Sequence, residues 1–145
     1  MFNFFKKKKK AKVESVEIQK TEVTVPQDYK FQLTSYNRGN DIIVFDPTDE
    51  DIKKAISTLS DTHENFIILE ARTAINGYTF LQATDYDISA GEVYVEAQVA
   101  ENLNGKEILH NFGKTIAIGK LFDMLSAYMN GTVPDITGWE HIADF

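Results

Sequence analysis

Apolar residues recur at every second position along much of this chain, which is the spacing typical of half-buried β-strands. The predicted strands lie within residues 12–25, 31–35, 66–71, 78–83, 93–99 and 106–112. A further strand is predicted at Ile42-Ile43-Val44-Phe45, where the continuous apolar run indicates burial. The dipeptides Asn76-Gly77 and Asn104-Gly105 are typical of two-residue turns, so we expect two β-hairpins.

Two segments follow helical spacing instead. A helix is predicted over residues 48–60, because Thr48 can cap it and Asp51 stands in the capping-box position three residues on. Its apolar stripe comprises Ile52, Ala55, Ile56 and Leu59. A second helix is predicted over residues 115–129, with Asn130-Gly131 as its terminator. The stripe of this second helix comprises Ile118, Leu121, Phe122, Leu125 and Met129.

The order of these elements predicts an α+β fold, with a single antiparallel sheet of about five to seven strands and two helices packed on one face. Residues 13–145 form one predicted domain, and residues 1–12 form a lysine-rich flexible tail. The 145-residue chain has no cysteine, which excludes disulfides and thiolate chemistry and favours a reducing compartment. No apolar stretch approaches the roughly 20 residues of a membrane span, so we expect a cytoplasmic protein.

Charge is segregated along the sequence. Residues 1–12 hold six lysines and no acidic residue, which leaves nine basic and 22 acidic residues in 13–145, a net charge of −13. A domain this acidic should repel nucleic acid and attract basic protein surfaces. Solubility alone also explains an acidic surface, so both interpretations stay open.

An acidic docking patch is predicted around the central hairpins, because the polar residues that alternate with Val93, Val95 and Ala97 indicate a strand with one solvated face. If these residues face solvent together, a basic protein partner would bind there, with the two tyrosines as aromatic anchors. The alternative is that they are ordinary solvated strand residues. The predicted patch comprises Asp85, Tyr86, Asp87, Glu92, Tyr94, Glu96 and Glu101.

Candidate catalytic and metal sites are weak by comparison. His63, His110 and His141 show none of the i, i+2 or i, i+4 spacings common in metal sites, so we expect neither a metal nor a catalytic role for them. Gly113-Lys114-Thr115 lacks the upstream glycine of a phosphate-binding loop, since Ile108 stands in its place. We therefore expect a non-enzymatic protein without a cofactor.

The C-terminal third resembles the end of bacterial immunity proteins that neutralise polymorphic toxins. The resemblance covers about 50 residues and rests on a strand ending at Phe112, a helix with Leu121-Phe122 and Tyr128, the run Gly131-x-x-Pro134-Asp135, and Trp139, with Tyr94-Val95-Glu96 upstream. It implies an inhibitor without enzymatic activity that binds one cognate toxin domain. Trp139 is expected to close the core beneath the second helix.

The N-terminal tail suggests an alternative, a peripheral-membrane or scaffold protein that the tail recruits. Its aromatic residues can enter the headgroup region of a bilayer while its lysines contact anionic lipid. The residues concerned are Phe2, Phe4, Phe5, Lys6, Lys7, Lys8, Lys9 and Lys10.

We predict that deleting residues 2–12 leaves the melting temperature nearly unchanged, because the tail contributes nothing to the predicted core. Sedimentation with anionic and neutral vesicles tests the membrane role: the tail confers it if only the full-length chain binds anionic lipid. Equal binding by the two forms would reduce the tail to a solubility feature.

Overall fold

The structure, a computed structural model, describes residues 24–37, 39–59 and 65–145. The strands are β1 (Phe31–Asn37), β2 (Ile42–Phe45), β3 (Asn65–Ile75), β4 (Tyr78–Asp87), β5 (Glu92–Leu103), β6 (Lys106–Ala117) and β7 (Glu140–Asp144). The helices are α1 (Asp49–Ile56) and α2 (Leu121–Met129), with short 3-10 helices at Ile88–Ala90 and Ile118–Lys120. The predicted tail, and residues 12–23 of the first predicted strand region, lie outside the described residues.

All seven strands form one antiparallel sheet in the order β2-β1-β3-β4-β5-β6-β7. This confirms the α+β fold and the single antiparallel sheet. The burial predicted for β2 is wrong, because among the described residues β2 pairs with β1 alone and stands at an edge of the sheet. Ile42 and Ile43 are 53% and 39% exposed.

Helix α1 begins as its sequence predicts. The Thr48 side chain accepts a hydrogen bond from the Asp51 backbone N–H, and the Asp51 carboxylate accepts one from the Thr48 N–H at 2.8 Å. This reciprocal capping box satisfies two backbone donors that a helix start leaves unpaired. The helix ends at Ile56, earlier than predicted, although Leu59 beyond it is still buried in the core.

The second helix starts later than predicted. Residues Thr115, Ile116 and Ala117 continue β6, where they pair with Tyr94, Val93 and Glu92 of β5. Pairing with a neighbouring strand satisfies their backbone groups and outweighs the weak helical pattern of the isolated sequence. Asn130 and Gly131 end α2 as predicted, and Gly131 has the positive φ of 93° typical of a helix terminator.

One hydrophobic cluster contains side chains from both helices and from the central strands. Its most deeply buried members are Leu33, Ile52, Ile67, Leu69, Leu81, Ala83, Val93, Val95, Ala97, Leu121, Leu125 and Tyr128. The Tyr128 hydroxyl donates a 2.8 Å hydrogen bond to the Tyr78 carbonyl oxygen, which satisfies the polar end of a fully buried ring. Trp139 is partly buried and packs against the same cluster. Neither described helix combines the length and apolar character needed to cross a bilayer.

Gly113 is the most crowded of the glycines that the structure describes. A Cβ atom placed there would lie 2.0 Å from the Tyr94 hydroxyl oxygen and 2.7 Å from the Ile142 Cδ1. The Tyr94 ring and the Ile142 side chain therefore occupy space that only glycine leaves open.

We predict that Gly113→Ala lowers the free energy of unfolding by about 1–3 kcal/mol, because Tyr94 and Ile142 must move to admit the methyl group. Gly119→Ala is the matched control, since a Cβ there meets nothing within 4 Å. Urea denaturation of both variants measures the difference. A Gly113→Ala protein as stable as the control would show that Tyr94 does not lie across this position.

Candidate functional site

The predicted acidic patch is not one solvated surface. Of its seven residues, Asp85 and Glu96 are buried, Glu92 and Tyr94 are partly buried, and Tyr86, Asp87 and Glu101 are exposed. Strand alternation explains Asp85, which lies opposite Val93 on the face whose neighbouring residues form the core. The expectation that Asp85 and Glu96 face solvent is therefore wrong.

Distance separates the exposed members of the patch. Glu101 lies nine residues beyond Glu92 on β5, which corresponds to about 30 Å along the strand. At the other end, Asp87 lies directly opposite Glu92, and Tyr86 beside it is 52% exposed. We call Tyr86, Asp87 and Glu92 the Tyr86 patch, the part of the predicted surface that stays together.

A row of polar side chains is buried on β4, β5 and β6, where a solvated face was expected. This polar row comprises Gln82, Glu96, Gln98 and Asn111, each at most 5% exposed. Gln98 donates to the Asn111 side-chain oxygen at 3.0 Å, and Gln82 donates to the Glu96 carboxylate at a long 3.4 Å. The solvated face predicted for β5 is thus wrong at Glu96 and Gln98.

Glu96 is incompletely satisfied in this row. Within the described part of the chain, its second carboxylate oxygen, the Gln82 side-chain oxygen and the Asn111 side-chain nitrogen are buried without a hydrogen-bond partner. Burial raises the pKa of Glu96 above its ordinary value, because desolvation disfavours the charged form. Holding this carboxylate ionised therefore costs stability.

Two of the three histidines, His110 and His141, meet where the middle of β6 pairs with β7. His110 lies opposite Asp144 in the β6–β7 ladder, and its Nδ1 is 2.6 Å from the Asp144 Oδ1. The His141 Nε2 is 2.6 Å from the same oxygen, and the His110 Nε2 is 2.8 Å from the Glu101 Oε1. We call His110, His141, Asp144 and Glu101 the histidine cluster.

Hydrogen bonding shifts the pKa values of two members of the histidine cluster, His110 and Asp144. The bonds to Asp144 and, second, to Glu101 raise the pKa of His110. The bonds from His141 and His110 lower the pKa of Asp144. Charge-assisted hydrogen bonds of this kind are stronger than neutral ones, so they help hold β7 against β6.

The sequence spacing of the histidines did not reveal this cluster. His110 and His141 are 31 residues apart and meet only through the β6–β7 pairing. The ligating atoms of His110, His141 and Asp144 lie within 4.8 Å of one another, close enough for one cation to contact all three. His63 lies outside the described residues.

Comparison with known proteins adds no family to this description. No protein-family model matches the chain, and no curated protein or solved structure matches it either.

Titration of Glu96 generates a pH-dependent prediction. Because its folded-state pKa is raised, the unfolded chain ionises first, and stability falls as the pH rises from about 4.5 through the folded-state pKa. Glu96→Gln removes this loss, and its amide can also donate to the unpaired Gln82 oxygen. We predict a higher melting temperature for Glu96→Gln than for wild type at pH 7.5, with the difference shrinking towards pH 4.

Glu107→Gln is the control for this prediction, since it makes the same charge change at an exposed site on β6. Thermal melts from pH 4 to 8 compare the three proteins. A Glu96→Gln protein that is less stable than wild type at pH 7.5 would show that the charged carboxylate is satisfied.

Proposed function

We propose that this protein is a cytoplasmic, non-enzymatic acidic binding protein, and most specifically an immunity-type inhibitor that binds and neutralises a cognate toxin domain. The observation that carries the proposal is the charge of −13 on residues 13–145, because charge complementarity speeds capture of a basic partner. The resemblance of the C-terminal third to immunity proteins supports the more specific part.

The described surface is consistent with this role. Eleven aspartates and glutamates are exposed there against seven lysines and arginines. The exposed acids are Asp28, Asp46, Asp49, Glu50, Asp87, Glu101, Glu107, Asp123, Asp135, Glu140 and Asp144. This excess favours a basic partner over nucleic acid, whose phosphates it would repel.

We infer further that α1 and α2 pack on one face of the sheet, because both contribute to the hydrophobic cluster of the central strands. The partner would then dock outside the face that the helices cover. We place it at the Tyr86 patch, because this patch combines an exposed aromatic ring with two neighbouring carboxylates. Tyrosine is enriched among the residues that dominate binding energy at interfaces.

The proposal predicts that a toxin-like domain is encoded directly upstream of this chain, and that co-expression of the chain restores growth to cells that express that domain. The purified domains should bind each other, and Tyr86→Ala with Glu92→Lys should lower the association rate roughly tenfold at low salt and flatten its salt dependence. Surface plasmon resonance at several salt concentrations measures both effects.

The control variant is Glu107→Lys, which makes the same charge reversal at the far end of β6. An equal loss of association rate in both variants would show that the partner does not bind at the Tyr86 patch. If the chain neither protects against nor binds any toxin domain encoded beside it, the proposed function itself is overturned.

The alternative function, recruitment to membranes or a scaffold through the tail, is supported by the lysine and phenylalanine residues of positions 2–10. Vesicle binding that depends on the tail, by a protein that does not restore growth, would favour this alternative.

A further inference from the structure

Two imidazole rings and one carboxylate converge where β7 joins β6. We propose that His110, His141 and Asp144 bind a divalent transition-metal ion such as Zn²⁺. This inference is independent of the toxin-binding proposal, because it rests on the side chains of the histidine cluster alone.

The donor set fits such an ion. Imidazole nitrogen together with a carboxylate oxygen suits Zn²⁺ and Co²⁺, whereas Ca²⁺ and Mg²⁺ prefer oxygen ligands alone. The three ligand atoms lie within 4.8 Å of one another. The ligand atoms of a tetrahedral zinc ion are roughly 3.3 Å apart. Small side-chain rotations would therefore bring these three atoms to bonding distance from one ion.

The present hydrogen bonds mark where the ion would sit. The Asp144 Oδ1 faces both His110 Nδ1 and His141 Nε2 at 2.6 Å. Metal ions bind deprotonated imidazole nitrogens, so the ion would replace the ring protons that now point at this oxygen. The exposed fractions of the three side chains, 21%, 51% and 47%, leave an open side from which the ion can enter.

Glu101 provides the supporting contact that histidine ligands need. A ligating histidine usually donates its other ring N–H to a carboxylate, which fixes the tautomer and the ring orientation. Glu101 Oε1 lies 2.8 Å from the His110 Nε2, so it holds the proton there and leaves Nδ1 for the metal. The Phe112 ring flanks both imidazoles, with ring centroids 5.4 Å from His141 and 6.4 Å from His110.

The bound ion would tie the C-terminal strand to the sheet. His110 belongs to β6, whereas His141 and Asp144 belong to β7, which within the described part of the chain pairs with β6 alone. A ligand bridging the two strands stabilises the paired state, because it binds this state and not the separated one. The fourth coordination position stays open to water.

The experiment titrates untagged, chelator-treated full-length protein with Zn²⁺ by calorimetry at pH 7.5, and with Co²⁺ by visible absorption. We expect one equivalent to bind saturably, with Zn²⁺ slowing hydrogen exchange of the β7 amides. His141→Gln and Asp144→Asn should weaken binding at least about 100-fold, and Glu101→Gln about 10-fold to 100-fold, as for an orienting partner.

Glu140→Gln is the matched control, because it removes the same charge from the same strand beside His141 without touching a ligand atom. Circular dichroism confirms that each variant folds, and the mild Glu101→Gln change keeps the test intact if a ligand variant does not fold. Absence of saturable binding would overturn the proposal. Undiminished binding by the His141 and Asp144 variants, or an equal loss in Glu140→Gln, would overturn it as well.

Discussion

The antiparallel ladder between β5 and β6 is the constraint on which the rest of the structure depends. All twelve residues of β5 pair with β6, from Glu92 opposite Ala117 to Leu103 opposite Lys106. This register places Gly113 opposite Glu96, where it leaves room for the Tyr94 ring. A slip of β5 by one residue would turn its side chains to the opposite faces of the sheet, so Val95 would leave the core and Glu96 would enter it.

Local turn chemistry fixes that register, which is why the sequence predicts the hairpins well. Asn104 and Gly105 have φ values of 54° and 80°, and both residue types adopt positive φ readily. Asn76 and Gly77 repeat the arrangement between β3 and β4. Like the Thr48–Asp51 capping box, these turns depend on side chains within a few residues of one another. Such features are readable before any tertiary contact is known.

Features that depend on distant neighbours were not predictable in this way. The sequence predicts Thr115–Ala117 as the start of a helix, whereas pairing with Glu92–Tyr94 makes these residues part of a strand. Glu96 lies between apolar residues in the alternating pattern that predicts a solvated side chain, yet it is 2% exposed. The histidine cluster needs the β6–β7 pairing to bring its members together. In each case the deciding partner lies far away along the chain.

Among the strands that the structure describes, β2 and β7 form the two edges of the sheet, and they are protected in different ways. β2 exposes Ile42 and Ile43 but is only four residues long, which limits the template it offers to another strand. β7 carries Glu140, His141 and Asp144, and charged side chains on an edge discourage pairing with a second chain. Such side chains stay near solvent, because burying them would cost several kcal/mol. Their ring nitrogens and carboxylate oxygens therefore remain accessible to small cations, so the polarity that guards this edge also supplies a set of ligands.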